Sequence, residues 1–237
     1  MRLDKYLAQA GLGTRSEVKK LIRSGRVLLN GKLTKSPECK VETSDEVMVD
    51  DRQITYEEYV YYMLNKPGGV VTATIDSKDK TVIDLLKEPY VKDLFPVGRL
   101  DKDTEGLLLL TNHGALAHRL LAPKSHVEKG YYARLEKPAT EEDIQCFLNG
   151  LDIGDKKPTK PARLKILSGC EVMIWITEGR FHQIKRMCQK IGKPVRYLKR
   201  IQMGTLRLDE SLAPGEYRKL TESEVTLLLK EYLPEKE

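Results

Sequence analysis

The chain has little with which to build a metal centre or a disulfide framework. Its four cysteines, Cys39, Cys146, Cys170 and Cys188, stand far apart and form no Cys-x-x-Cys pair. That spacing argues against a zinc site and against disulfides, and it suits the reducing cytoplasm. The four histidines are equally dispersed. No Gly-x-x-x-x-Gly-Lys-Ser/Thr occurs, which excludes a Walker-type phosphate loop. No apolar run approaches the length needed to span a bilayer, so no membrane partner is expected. Residues 1–11 are charged and amphipathic without an apolar centre, so no secretory signal is expected either.

What the sequence does contain is charge around an ordinary core. With 237 residues, 40% hydrophobic and 32% charged, it reads as a folded soluble protein of one medium domain and one small one. A net charge of +6 favours polyanionic partners, of which nucleic acid is the commonest. Charge alone does not separate an enzyme from a ribosomal binding protein. Nothing in the composition asks for more than a monomer.

The most informative stretch is Gly98-Arg99-Leu100-Asp101-Lys102-Asp103-Thr104-Glu105-Gly106, running into Leu107-Leu108-Leu109-Leu110-Thr111. A carboxylate-rich turn feeds an apolar run with the length of a buried strand. The glycines at its ends permit bending and close approach of another chain. Arg99 and Lys102 flank Asp101, and nearby positive charge favours a carboxylate suited to nucleophilic work. Composition alone leaves Asp103 and Glu105 as good candidates as Asp101.

Upstream, Leu3, Tyr6, Leu7 and Ala10 have helical spacing. Thr14 and Glu17 form a capping box that starts a second helix. Arg15, Lys19 and Arg23 share one face of that helix, and Arg26 continues it past the end. Asn30-Gly31 between two short apolar runs signals a hairpin, and 45–49 reads as a further strand. Residues 50–59 are polar and read as a linker. A strand is expected from Val60 to Asn65, a turn at Lys66-Pro67-Gly68-Gly69, a resumed strand at 70–74 and a short helix over 81–87. Further helices are expected through Leu116 and Leu120, after Thr140, and from Ser223 to Tyr232. Strands are expected at 129–135 and 172–176. After the second of these, Phe181, Ile184, Met187 or Cys188, and Ile191 make an apolar stripe on a strongly basic helix.

Several motifs together resemble one family. Gly98-Arg99-Leu100-Asp101, with Thr104, Gly106 and the leucine run, resembles the catalytic-aspartate motif of pseudouridine synthases of the RsuA/RluA type. Asn65-Lys66-Pro67-x-Gly69 is similar to the start of that catalytic domain. Lys129-x-Tyr131 is similar to its second motif, and Gly179-Arg180-x-His182-Gln183-Ile184-Lys185-Arg186-Met187 to its third. Leu198-x-Arg200 with Gly204 is similar to its last. Residues 1–50, through Arg2-Leu3-Asp4-Lys5-Tyr6-Leu7, Thr14-Arg15-Ser16 and Gly25-Arg26-Val27, resemble an S4 RNA-binding domain.

The resemblance implies a fold and a chemistry. The fold is α/β, a catalytic domain with a mixed, largely antiparallel sheet over 60–237, preceded by a small S4-like α/β domain with its linker over 1–59. The implied reaction isomerises a uridine of ribosomal RNA to pseudouridine, without metal or cofactor. Asp101 is the implied nucleophile, Lys185 its partner and Tyr131 the stacking platform for the target base. Leu198 would pack beside the site. Arg15, Lys19, Arg23, Arg26, Arg99, Arg180, Arg186 and Arg200 would contact RNA, while His182 would orient its turn. Lys at 185 is most like the RsuA branch, which acts on small-subunit rRNA. Large-subunit rRNA is the first alternative, a non-catalytic S4-type assembly factor the second, and tRNA binding a third. The expected partner is ribosomal RNA or an assembling subunit.

Overall fold

A computed structural model describes residues 1–42, 44–88 and 91–233. The chain divides into two compact units, Met1–Tyr59 with Lys87–Asp93, and Val60–Leu86 with Leu94–Glu237.

In the first unit, helices α1 (Leu3–Gln9) and α2 (Arg15–Arg23) precede strands β1 (Val27–Leu29), β2 (Lys32–Thr34), β3 (Val47–Val49) and β4 (Arg52–Ile54). The capping box forms as its residues dictate: Thr14 N donates to Glu17 Oε2 at 2.7 Å and Glu17 N to Thr14 Oγ1 at 3.3 Å. Asn30 and Gly31 both take positive φ and close the β1–β2 hairpin, the backbone that such a two-residue turn requires. Leu3, Leu7, Val18, Ile22, Val27 and Val47 form a core between the helices and the sheet. The supposed linker at 50–59 is corrected here. Asp50 and Asp51 adopt positive φ and turn the chain into β4, which pairs with β3 in an antiparallel sheet ordered β2-β1-β3-β4. Aspartate enters the left-handed region more readily than most residues, yet Asp-Asp is a weaker turn signal than Asn-Gly.

The second unit is built on one sheet. Its strands are β5 (Tyr61–Lys66), β6 (Phe95–Pro96), β7 (Glu105–Thr111), β8 (Lys129–Leu135), β9 (Arg163–Ser168), β10 (Glu171–Ile176), β11 (Val195–Met203), β12 (Leu206–Arg207) and β13 (Tyr217–Lys219). Its helices are α3 (Gly114–Leu121), α4 (Glu141–Asn149), α5 (Gln183–Lys190) and α6 (Glu222–Tyr232). The sheet runs β13-β5-β7-β11-β8-β10-β9, with β6 on β7 and β12 on β11. Every named pairing is antiparallel except β7 with β11. The leucine run does become a strand buried on both faces, as its unbroken hydrophobicity requires. Leu107 and Leu109 pack on α3 and α6 in one apolar cluster. A second cluster joins α4 and α5 to β8, β9 and β10 through Phe147, Leu164, Ile174, Ile184 and Met187.

Two local expectations fail. Residues 70–74 make no strand; Val71 forms only an isolated bridge to Thr81. The helix expected over 81–87 shrinks to one 3-10 turn, Ile83–Leu85. Short apolar runs do not distinguish strand from buried loop by periodicity alone. Here Val71 bonds the backbone of Lys80 and Val82, and the Thr72 side chain bonds the backbone of Leu100, in place of a sheet ladder.

Candidate active site

The turn that carries Asp101 is fixed from three sides before any substrate arrives. Thr72 Oγ1 donates to Leu100 O at 2.8 Å and accepts from Leu100 N at 3.2 Å. Gly69 N donates to Lys102 O at 2.8 Å. Lys66, fully buried at the end of β5, donates from Nζ to the carbonyls of Pro67, Lys102 and Thr104 at 3.0, 3.2 and 2.8 Å. Burial pushes its pKa down to about 8, against the pull of Asp103, Glu105 and Asp101. Gly106 then passes the turn into β7 at φ +100, where a Cβ would sit 2.2 Å from Arg200 O. No other residue fits that approach to β11.

The opposite wall is the start of α5. His182 caps the helix in a left-handed conformation, φ +48. Gln183 locks the preceding loop: its Oε1 accepts from Arg180 N and its Nε2 donates to Glu178 Oε1, both at 2.9 Å. In the same first turn of α5, Lys185 Nζ lies 2.9 Å from Asp101 Oδ2 and 2.6 Å from Asp103 Oδ1. His182 Nε2 lies 3.6 Å from Asp101 Oδ1. Partial burial works to lower the Lys185 pKa, but its hydrogen bonds to Asp103 and Asp101 outweigh that and raise it. The flanking cations do not supply this charge. Lys102 pairs with Asp79 at 2.7 Å, and Arg99 is exposed.

Between these walls lies a cavity of about 230 Å³, lined by Asp101, Tyr131, Lys185, Leu198 and both Leu100 and Arg99. Tyr131 and Leu198 are 8% and 6% exposed. The cavity also separates the three carboxylates of the turn. Asp101 lines it, whereas Asp103 points outward with its side chain 75% exposed. Glu105 accepts a hydrogen bond from Tyr197 Oη at 2.7 Å. The site can therefore present one positioned carboxylate to a flat group lying against a tyrosine ring.

The remaining basic residues divide. Arg15 and Arg23 are exposed on α2, and Lys19 Nζ lies 3.8 Å from Asp4. Arg26 is bound by Asp50. Arg180 donates to Glu178, Asp155 and the carbonyls of Lys157 and Pro158. Arg186 donates to Asp155 and the carbonyls of Ile153 and Phe181. These two clamp the 153–158 loop instead of lying open on a surface. Arg200, expected at a phosphate, is 2% exposed and donates from Nε to Leu107 O; its position in β11 puts it inside the cavity wall. Phe181 also departs from its expected place in the apolar stripe. It precedes α5, is 75% exposed and stacks on the His182 ring with centroids 3.8 Å apart.

Sequence reading assigned no supporting role to Thr72, Lys66, Glu178 or Gln183, although Lys66 and Gln183 lie within the quoted motifs. Lys66 at the end of an apolar strand was a usable signal, since lysine is rarely buried without partners. Thr72 carried none.

A carboxylate–lysine pair thus stands at a tyrosine-lined cavity on this sheet. Residues 60–190 match the RNA pseudouridylate synthase family, and residues 1–47 match the S4 domain. The chain belongs to the RNA pseudouridylate synthase family. An uncharacterized RNA pseudouridine synthase of Bacillus subtilis is 49% identical over 96% of this chain and 98% of its own length. The ribosomal small subunit pseudouridine synthase A of Haemophilus influenzae is 43% identical over 97% of this chain and 100% of its own. A pseudouridylate synthase crystal structure superposes with a TM-score of 0.70 at 42% identity, over 96% of this chain and 99% of that one. RNA is thus the partner class, read from both the S4 domain and the synthase family. Among the described residues, no helix is long and apolar enough to cross a membrane.

Proposed function

We propose that this protein isomerises one uridine of small-subunit (16S) ribosomal RNA to pseudouridine, with Asp101 as the nucleophile. The observation that carries the reading is the Asp101 carboxylate at the cavity, 2.9 Å from Lys185 Nζ and in the same lining as Tyr131. The reaction breaks the bond from ribose C1′ to N1 and rejoins the base through C5; the C5 proton is lost and N1 gains one, with no net gain or loss of electrons. A base stacked in folded RNA must first be extruded. Tyr131 then supplies a ring face for stacking, and Leu198 an apolar wall. Attack at C1′, addition at C6 or proton removal from an intermediate all need an ionised, oriented carboxylate. Lys185 supplies its counter-charge and fixes its direction. The small-subunit assignment is supported by the 43% identical Haemophilus influenzae relative, a ribosomal small subunit pseudouridine synthase.

Residues 1–59 act as the RNA-binding domain, and residues 60–237 as the catalytic one. Exposed Arg15 and Arg23 contact phosphate, with Lys19 and Arg26 beside them and Arg99 at the cavity rim. Phosphate contacts set affinity and register more than sequence choice. The protein works as a monomer in the cytoplasm, on free rRNA or an assembling subunit, without metal or cofactor.

A pseudouridine map of rRNA from cells lacking the protein tests this, beside strains rescued with wild type or Asp101→Asn. One site missing from 16S rRNA and restored only by wild type is expected. A missing site in large-subunit rRNA moves the substrate. No missing site in either rRNA returns Asp101 to an ordinary loop carboxylate.

A further inference from the structure

Two cations in the cavity wall have no counter-ion among the described residues. Lys129 and Arg200 both line the cavity. Arg200 spends Nε on Leu107 O, but its Nη2 is enclosed without a hydrogen-bond partner. Lys129, half-buried, donates from Nζ to Val127 O at 3.0 Å. Neither side chain has a carboxylate within 4 Å among the described residues, whereas Lys185 in the same cavity has two. Burial, with the neighbouring charge of Arg200, pushes Lys129 down to about 8. The Lys129 ammonium carries three donors, of which Val127 O takes one, so an acceptor that arrives with the substrate completes the arrangement.

The strands place these groups around the tyrosine. Lys129 and Tyr131 are two apart on β8 and so share a face. Arg200 stands opposite Tyr131 in the β8–β11 register, and cross-strand partners also share a face. If the Tyr131 ring supports the base, the cations lie along the edge of that base. Leu100, Ile176, Leu198 and Met203 make the adjoining wall apolar. A carbonyl oxygen loses its water there at far lower cost than a phosphodiester anion.

We propose, on the synthase reading above, that Lys129 and Arg200 form a donor edge that reads the 4-keto oxygen of the extruded pyrimidine, so that the cavity accepts uridine and refuses cytidine. Both side chains are donors only. Cytosine presents an amino group where uracil presents that oxygen. Donor would face donor, and a site built to bond one partner strongly rejects the analogue that cannot bond.

The test uses an rRNA transcript carrying the target uridine and the same transcript with cytidine at that position as a competitive inhibitor. Wild type should bind the cytidine transcript about tenfold to a hundredfold more weakly. Lys129→Met should shrink that gap below about threefold, and Lys129→Arg should restore it. Thermal melting checks that each variant is folded, and Lys129→Gln replaces Lys129→Met if the latter is not. An unchanged gap in the folded variant overturns the proposal. Equal weakening of both transcripts also overturns it and assigns Lys129 to a phosphate. No pseudouridine from the wild-type protein on any rRNA removes the synthase reading, and this one with it.

Discussion

Helix α2 and the stretch that opens α5 are equally basic and are used in opposite ways. On α2, Arg15 and Arg23 stand exposed along one face. At the start of α5, Arg180 and Arg186 are bound to carbonyls and carboxylates of the 153–158 loop and Glu178, and Lys185 to Asp101 and Asp103. The local count of cations is similar; the acceptors that the fold brings to them are not. A basic run is a phosphate surface only where no internal acceptor reaches it. Where acceptors do reach it, the same residue types become a clamp and the counter-charge of Asp101.

The largest expected effect separates these two uses. Lys185→Met should lower turnover by about a hundredfold to a thousandfold, with RNA affinity changed less than about threefold. A filter-binding assay beside single-turnover kinetics checks it; an affinity loss matching the rate loss would make Lys185 an RNA contact like those proposed for α2. Next, Arg186→Ala should destabilise the protein by about 2 kcal/mol, because charged hydrogen bonds to Asp155 and to backbone carbonyls are lost. Denaturant melts measure this, and the salt dependence of RNA binding should not move. Third, the double variant Arg15→Ala, Arg23→Ala should reduce the slope of log affinity against log salt by about one to two. Its melting temperature and its turnover at saturating RNA should stay unchanged. A stability loss there would show α2 to be a clamp as well.

The smallest effect is on pH. Hydrogen bonding to Arg186, then to Arg180, holds the Asp155 carboxyl below its ordinary range. A depressed carboxyl stabilises the fold above its unfolded value and loses that contribution as pH falls through the lower folded one. Acid should therefore cost the wild type more stability below about pH 4 than it costs Asp155→Asn. Equal acid sensitivity of the two would remove Asp155 from the clamp.

Some of this architecture was legible before any coordinates. The Thr14–Glu17 box, the Asn30-Gly31 hairpin and the leucine strand are local patterns with strong physical signatures, and each formed as expected. The motif around Asp101 and the Lys185 helix were visible because their residue types and spacing resemble a known chemistry. The strand after Asp51 was not visible, because two aspartates in a turn look like a polar linker. Nor was the fate of Arg180, Arg186 and Arg200, since each is decided by partners remote in sequence.

Sequence alone determined most of the elements, the family and the short list of carboxylates. Folding chose among them. Lys185 meets Asp103 across 82 residues because α5 stands against the turn before β7, and Arg200 meets Leu107 across 93 because β7 and β11 are sheet neighbours and Gly106 lets them approach. Propensity and periodicity act over a turn or two of chain. Which cation finds a carboxylate, and which is left waiting in a cavity, depends on strand order and burial, and these are properties of the folded whole.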